Sequence, residues 1–285
     1  MNHGGEIRAW RACRRLEDGL LALTVAVLMF LPLMEMVLRR TAMVAIPGAL
    51  VIVQHMTLAV TMLGAAVAAR EGKLVALSSF GARPGAPDWM RGLAAVGTAL
   101  VAGMLALACW ILVQIEWEAN KRWFASVPVW TIQWVMPVGF ALIAMRALAV
   151  TSSSPRQRLG WFALGAALAC LYFWPPVSRE LLWTFGAGLT VAAAVAGSAV
   201  FASLGAMALL WFWGQDLPIA ALAVDLYRLV TNPVLPALPL FALTGFLLAE
   251  GQAAHRLVGV FEALFGVRGL GVTIITAALL AGSRR

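Results

Sequence analysis

The stretch Leu20-LALTVAVLMFLPLMEMV-Leu38 carries one charged side chain, Glu35, in a run long enough to cross a bilayer. A helix rises 1.5 Å per residue, so about 20 apolar residues span the roughly 30 Å of hydrocarbon. Working outward, similar runs follow at 49–69, 92–115, 127–150 and 160–177; a sixth lies within 181–213 and a shorter seventh covers 234–249. The 285-residue chain is 62% hydrophobic and 12% charged, with a mean hydropathy of +0.89, where soluble domains sit near half apolar and a quarter charged. Lipid cannot satisfy backbone polar groups, and no run alternates as a barrel strand does. The expectation is an all-α polytopic integral membrane protein with about six or seven transmembrane helices.

Basic residues set the orientation. With the amino terminus inside, one side collects Arg8, Arg11, Arg14 and Arg15, then Arg70, Lys73, Arg83 and Arg91, then Arg146, Arg156 and Arg158; the other receives Arg39, Arg40, Lys121, Arg122 and Arg179. That asymmetry puts the amino terminus in the cytoplasm. The net charge of +8 then reflects contact with anionic headgroups, with no nucleic-acid partner. Residues 1–19 read as a cytoplasmic basic tail, either solvated or forming a short helix on the headgroup layer around Trp10. The run after it is too long for a signal core and ends at Arg39-Arg40 without a small-residue cleavage pattern, so it stays as the first span.

The chain is thin in catalytic chemistry. Cys13, Cys109 and Cys170 are widely spaced, and His55 is the lone histidine inside a span, so neither a metal cluster nor a bis-imidazole haem is expected. No nucleophile–base or carboxylate pair occurs at usable spacing, and no enzyme is expected. Charges inside a bilayer mark function by default, yet few lie deep. Glu35 and Arg39 share a helix face. Glu116, Glu118, Lys121 and Arg122, among Trp117 and Trp123, read as an interfacial belt with snorkelling charges. Residues 77–90 form a Gly/Pro-rich turn. Residues 151–157, Thr-Ser-Ser-Ser-Pro-Arg-Gln, are the seam between two modules.

Four pieces in order, Met36-Val-Leu-Arg39, Leu63-Gly-Ala-Ala-Val-Ala-Ala-Arg-Glu-Gly72, Ser126-Val-Pro-Val-Trp130 and Met136-Pro-Val-Gly-Phe140 with Arg146, resemble the small membrane subunit of tripartite ATP-independent periplasmic (TRAP) transporters. In that family the glycine-small-small pattern lets helices approach closely, and the proline-glycine pair opens the fourth helix. Leu238-Pro-Leu-Phe241, Gly245, Glu250-Gly251, Arg256-Leu257 and Phe265-Gly-Val-Arg-Gly-Leu-Gly271 are similar to the early part of the large TRAP subunit. The resemblance implies a small-subunit module at 20–150, a linker and connecting helix at 151–180, and the start of a large permease subunit at 181–285. Residues 217–230 are amphipathic, with Asp225 and Arg228 on the polar side, and suit an interfacial helix.

This chain departs from the family at Gln54-His55, where a carboxylate is common, and at Leu74, where a histidine is common. Its last apolar stretch, 269–282, is short for a span, so the transport module is expected to be truncated, with the sodium and substrate sites of the family beyond the residues present. The resemblance implies sodium-driven secondary uptake of organic acids, commonly carboxylates, delivered by a periplasmic solute-binding protein across the bacterial inner membrane, with sodium as coupling ion and no other cofactor. The alternative is a non-transporting scaffold or an inactive fragment. Arg39, Arg70, Glu71, Gly72, Pro137, Gly139, Pro239, Phe241 and Gly245 are the candidate packing and interface residues. For Arg39, Arg70, Glu71 and Gly72, ordinary topology signals are the competing reading.

Overall fold

The computed structural model describes residues 3–43, 45–76, 87–122, 127–150 and 179–251, with Gly160, Ala163 and Arg256. Among these, nearly everything is helical and strand pairing is limited to the isolated bridges Ala76–Ala199 and Arg122–Pro128. The helices are α1 (His3–Thr41), α2 (Ala49–Arg70), α3 (Asp88–Ala119), α4 (Val129–Gln133), α5 (Val135–Val150), α6 (Arg179–Val195), α7 (Val200–Gly214), α8 (Ile219–Val230) and α9 (Ala237–Glu250). Four stretches are long and apolar enough to span a membrane: Arg14–Thr41, Ala49–Arg70, Trp89–Ala119 and Val129–Ala149. This is the expected polytopic all-α architecture.

Local chemistry sets the ends. Pro87, Pro128 and Pro218 stand just before α3, α4 and α8, where their missing N–H is no loss and their fixed φ suits helix entry. Asn120, at φ 45°, stops α3 in the left-handed conformation. The fourth span is interrupted at Trp134 between α4 and α5. Pro137 explains the break, because it has no N–H to give the Gln133 carbonyl and its ring crowds that oxygen.

Helix α1 runs unbroken from His3 into the apolar run. Two expectations are corrected. The run within 181–213 is not one span but a helical hairpin, α6 and α7, turning at Ala196-Gly197-Ser198 with Gly197 at φ 99°. That φ is readily available to glycine alone. Gly64 is also not a close-approach point, since a Cβ there would meet nothing within 4 Å. The expected span at 160–177, the seam at 151–157, most of the 77–90 loop and the 265–271 and 269–282 segments lie outside the described residues.

Two compact units divide the chain, 1–235 and 236–285. In the first, α3 is the hub and packs against α4, α5, α6, α7 and α8, while α2 packs against α1, α5 and α8. Leu58, Ala102, Ala108, Cys109, Met136 and Ala223 are fully buried there. Of the most apolar window of α3, 61% is buried inside the protein, against 6% for α1. Outside its contact with α2, most of the α1 surface is left uncovered by the described residues of this unit and suits contact with lipid. Helix α8 is amphipathic as expected: Ala220, Leu222 and Ala223 are buried, Asp225 and Arg228 exposed. In the second unit, α9 is a 14-residue apolar helix, and none of its residues is buried.

Candidate functional site: polar clusters at the two ends of the bundle

Because α2 and α5 run parallel to each other and antiparallel to α1 and α3, the sequence places two sets of polar residues at opposite ends. At the first end, Glu17 and Asp18 of α1 meet Arg70 of α2 and Arg146 of α5. Arg70 Nη1 donates to Glu17 Oε2 at 2.9 Å and Nη2 to Asp18 Oδ1 at 2.6 Å. Arg146 Nη2 pairs with the other Glu17 oxygen, while its Nη1 donates to the Ala66 carbonyl at 2.6 Å. One carboxylate thus clasps two guanidinium groups from two helices, each side chain at most 20% exposed. Partial burial makes such charge-assisted bonds stronger than surface pairs.

Just beyond, Glu71 and Gly72 close α2. The Lys73 N–H bonds the Ala68 carbonyl at 2.9 Å and the Gly72 N–H the Ala69 carbonyl at 3.3 Å, with Gly72 at φ 66°. That is a Schellman stop, which needs a left-handed residue at Gly72. Glu71 is partly exposed and bonds Lys73 Nζ at 2.8 Å. This bond, more than the charge of Arg70, holds the Glu71 carboxyl below the usual carboxylate range.

At the second end, His55 of α2 is buried at 4% exposure. Its Nδ1 lies 2.7 Å from the Val51 carbonyl and its Nε2 2.7 Å from the Tyr227 hydroxyl of α8. The Gln133 side chain of α4 reaches the same hydroxyl; this residue is 1% exposed, and its Oε1 has no partner. Glu116 of α3 bonds Lys121 at 3.3 Å through Oε1, leaving Oε2 buried and unpartnered. Around them, Trp117 stacks on Trp130 at 4.4 Å and Trp110 meets Trp134 edge-on at 4.9 Å. Glu116 is therefore half inside the protein, more than the snorkelling belt expected from sequence.

The candidate residues fall in separate places. Arg70, Glu71 and Gly72 are together at the first end, and Arg39 is exposed on α1, paired with Glu35 at 2.6 Å. Gly139 of α5 packs so tightly on α2 that an added Cβ would lie 2.9 Å from Met62 Cβ. Pro137 is buried two residues before it. Pro239, Phe241 and Gly245 lie on α9, where Phe241 is 72% exposed and Gly245 faces open space.

Glu17, Asp18, Gln133 and Tyr227 are the members of these clusters that sequence reading missed. The signals were faint: two adjacent acids in a basic segment, and one of only two tyrosines in the chain. Among the described residues no group of three or more His, Cys, Asp or Glu is placed to hold a metal. A cavity of about 240 Å³ between α3 and the α6–α7 hairpin is walled by Leu93, Val96, Leu100, Leu189 and Ala202. Its hydroxyls are already engaged, Thr190 with the Gly186 carbonyl and Ser198 with Ser203.

Residues 28–157 match the family described as Tripartite ATP-independent periplasmic transporters, DctQ component. The four motifs from Met36 to Arg146 all lie inside that segment. No curated protein and no solved structure matches the chain. That segment is thus similar to a membrane component of TRAP transporters, a family of components that work with a periplasmic binding protein and a large permease. With four apolar helices of spanning length, the chain is a multi-pass membrane protein.

Proposed function

We propose that the chain is the membrane component of a sodium-driven secondary transporter that takes up organic acids, carboxylates foremost, delivered by a periplasmic solute-binding protein. The observation that carries this reading is the coincidence of the family match at 28–157 with the compact helices α1 to α5. The protein sits in the bacterial inner membrane with its amino terminus in the cytoplasm, which turns the Arg70 end inward and the His55 end outward. In this reading 20–150 is a rigid brace. The Glu17 clasp, the Schellman stop at Gly72 and the Gly139 contact hold its helices in fixed register, and 181–285 begins the permease module whose helices change access. Arg39 with Glu35 marks the outer edge of the brace, and Pro239, Phe241 and Gly245 belong to the permease side.

A second reading, a membrane scaffold that itself transports nothing, is favoured by one observation. The charged groups described on the spans pair with one another near the helix ends, leaving the middles of α2, α3 and α5 without Asp, Glu, Lys or Arg. Uptake of radiolabelled carboxylates into proteoliposomes separates the two. The chain is reconstituted with its binding protein, first alone and then with a large permease subunit, with and without an inward sodium gradient. Sodium-dependent uptake by the chain alone supports transport by these residues. Uptake that appears only with the added permease, and only when the chain is present, supports the scaffold. Uptake indifferent to sodium or to the chain overturns both the coupling and the role.

A further inference from the structure

Two oxygens buried at the His55 end have no donor among the described residues. Gln133 is 1% exposed, and its Oε1 is unpartnered. The Glu116 side chain is 16% exposed; Lys121 takes its Oε1 at 3.3 Å, and its Oε2 is buried and unpartnered. A buried acceptor left unmet is costly, more so on a carboxylate. The two belong to one place. Glu116 precedes Trp117, whose ring centre lies 4.4 Å from that of Trp130, one turn before Gln133. Both also bear on the Tyr227 hydroxyl: burial pushes that phenol up, the bond from Gln133 draws it down, and the Glu116 charge pushes it up again.

The backbone adds a third oxygen. The fourth span breaks at Trp134, and Pro137 has no N–H to return to the Gln133 carbonyl. Interrupted membrane helices use such freed carbonyls to ligate small cations. The donor set narrows the class of ion. Among the described residues no group of three or more His, Cys, Asp or Glu is placed to hold a metal, so an ion that seeks imidazole or thiolate is unsuited. Calcium takes roughly six to eight oxygens and magnesium a strict octahedron, whereas the single carboxylate here already shares its charge with Lys121. One carboxylate oxygen, one amide oxygen and one freed carbonyl suit a hard ion of single charge.

We propose that Glu116 Oε2 and Gln133 Oε1, with the Gln133 carbonyl, form a site for a monovalent alkali cation, sodium foremost, where α3 meets the break in the fourth span. Bound there, the ion ties the end of α3 to α4 beside Tyr227 of α8. The site is separate from the coupling-ion sites that the resemblance implies beyond the residues present, and it stands whether or not the chain transports.

Equilibrium binding of radioactive sodium to the full chain in nanodiscs, read by scintillation proximity with ionic strength held by N-methyl-D-glucamine chloride, tests it. The wild type should bind saturably. Glu116→Gln removes the charge at nearly constant size and should weaken binding about tenfold or more. Gln133→Leu should do the same. Lys121→Gln leaves Glu116 whole and removes a competing ammonium that is 66% exposed, so it should tighten binding about twofold to fivefold. Glu118→Gln, exposed at the same helix end, should match the wild type. Absence of saturable binding overturns the site, and is the outcome if the Gln133 amide turns over and gives its N–H to Glu116. Saturable binding that Glu116→Gln leaves intact overturns it too. If Glu116→Gln or Gln133→Leu fails to fold, Lys121→Gln decides: unchanged or weaker affinity overturns the proposal.

Discussion

Replacing Gly139 by alanine should destabilise the α2–α5 pair even though alanine is the better helix former. The added Cβ would lie 2.9 Å from Met62 Cβ, 3.1 Å from its Sδ and 3.3 Å from its Cγ. Carbon atoms rest at about 3.5–4.0 Å, so the helices must part by roughly 0.6 Å or more. Met62 Cβ is fixed to the α2 backbone and cannot swing aside, so the strain falls on the helix contact itself. Overpacking of this kind costs about 1–3 kcal/mol, and the glycine-to-alanine change returns about 1 kcal/mol of helix propensity. The net loss should be about 1 kcal/mol.

Gly64→Ala is the matched control, because a Cβ there meets nothing within 4 Å; it should gain up to about 1 kcal/mol. Unfolding in mixed micelles by titration with sodium dodecyl sulfate, followed by tryptophan emission, reads the difference. Two second-site changes sharpen the test. Met62→Ala removes the 3.1 and 3.3 Å contacts but keeps the 2.9 Å one, so it should relieve Gly139→Ala only in part, whereas Met62→Gly should relieve the clash. Equal stability of Gly139→Ala and Gly64→Ala, or full rescue by Met62→Ala, would refute the reasoning.

Other expectations follow from the same structure. Glu17→Gln should cost about 2 kcal/mol in that assay, since two charge-assisted bonds of a partly buried carboxylate are lost, whereas Asp18→Asn should cost under about 1 kcal/mol because Asp18 is 55% exposed. Gly72→Ala should cost about 1–2 kcal/mol, the left-handed penalty at φ 66°, and hydrogen exchange should show the last turn of α2 fraying. The Glu71 carboxyl is lowered in the folded state, so its contribution is present above the ordinary carboxylate value and is lost as pH falls through the lowered one. Carboxyl NMR of Lys73→Ala should show the Glu71 titration returning upward.

What sequence could and could not show divides along physical lines. In lipid the length of an apolar run and the length of its helix are bound together, so 49–69 corresponds to Ala49–Arg70 and 92–115 lies inside Asp88–Ala119. Helix amphipathicity at Ile219–Val230 was equally visible, because Asp225 and Arg228 share a face. The run at 181–213 misled because Ala196-Gly197-Ser198 is as apolar and small as its flanks; a turn between two membrane helices need not be polar if its backbone is bonded. Here Val200 N–H finds the Val75 carbonyl at 2.9 Å and Ala199 N–H finds Thr98 Oγ1 at 3.2 Å. The clusters were hidden for another reason. Glu17 meets Arg146 and His55 meets Tyr227 across 129 and 172 residues of sequence, and no local period marks such pairs. Only the helix directions, once fixed, bring them to a common end.

The position of α3 as hub has a consequence for how the chain can be divided. Val101, Ala102 and Leu105 of α3 are covered by a core that includes Ala202, Leu209 and Ala223 from beyond the 151–157 seam. Severing the polypeptide at that seam would not yield two self-sufficient pieces but two halves of one interior, each with a raw apolar wall. Made from separate messages, each piece would keep that wall open until the other covered it.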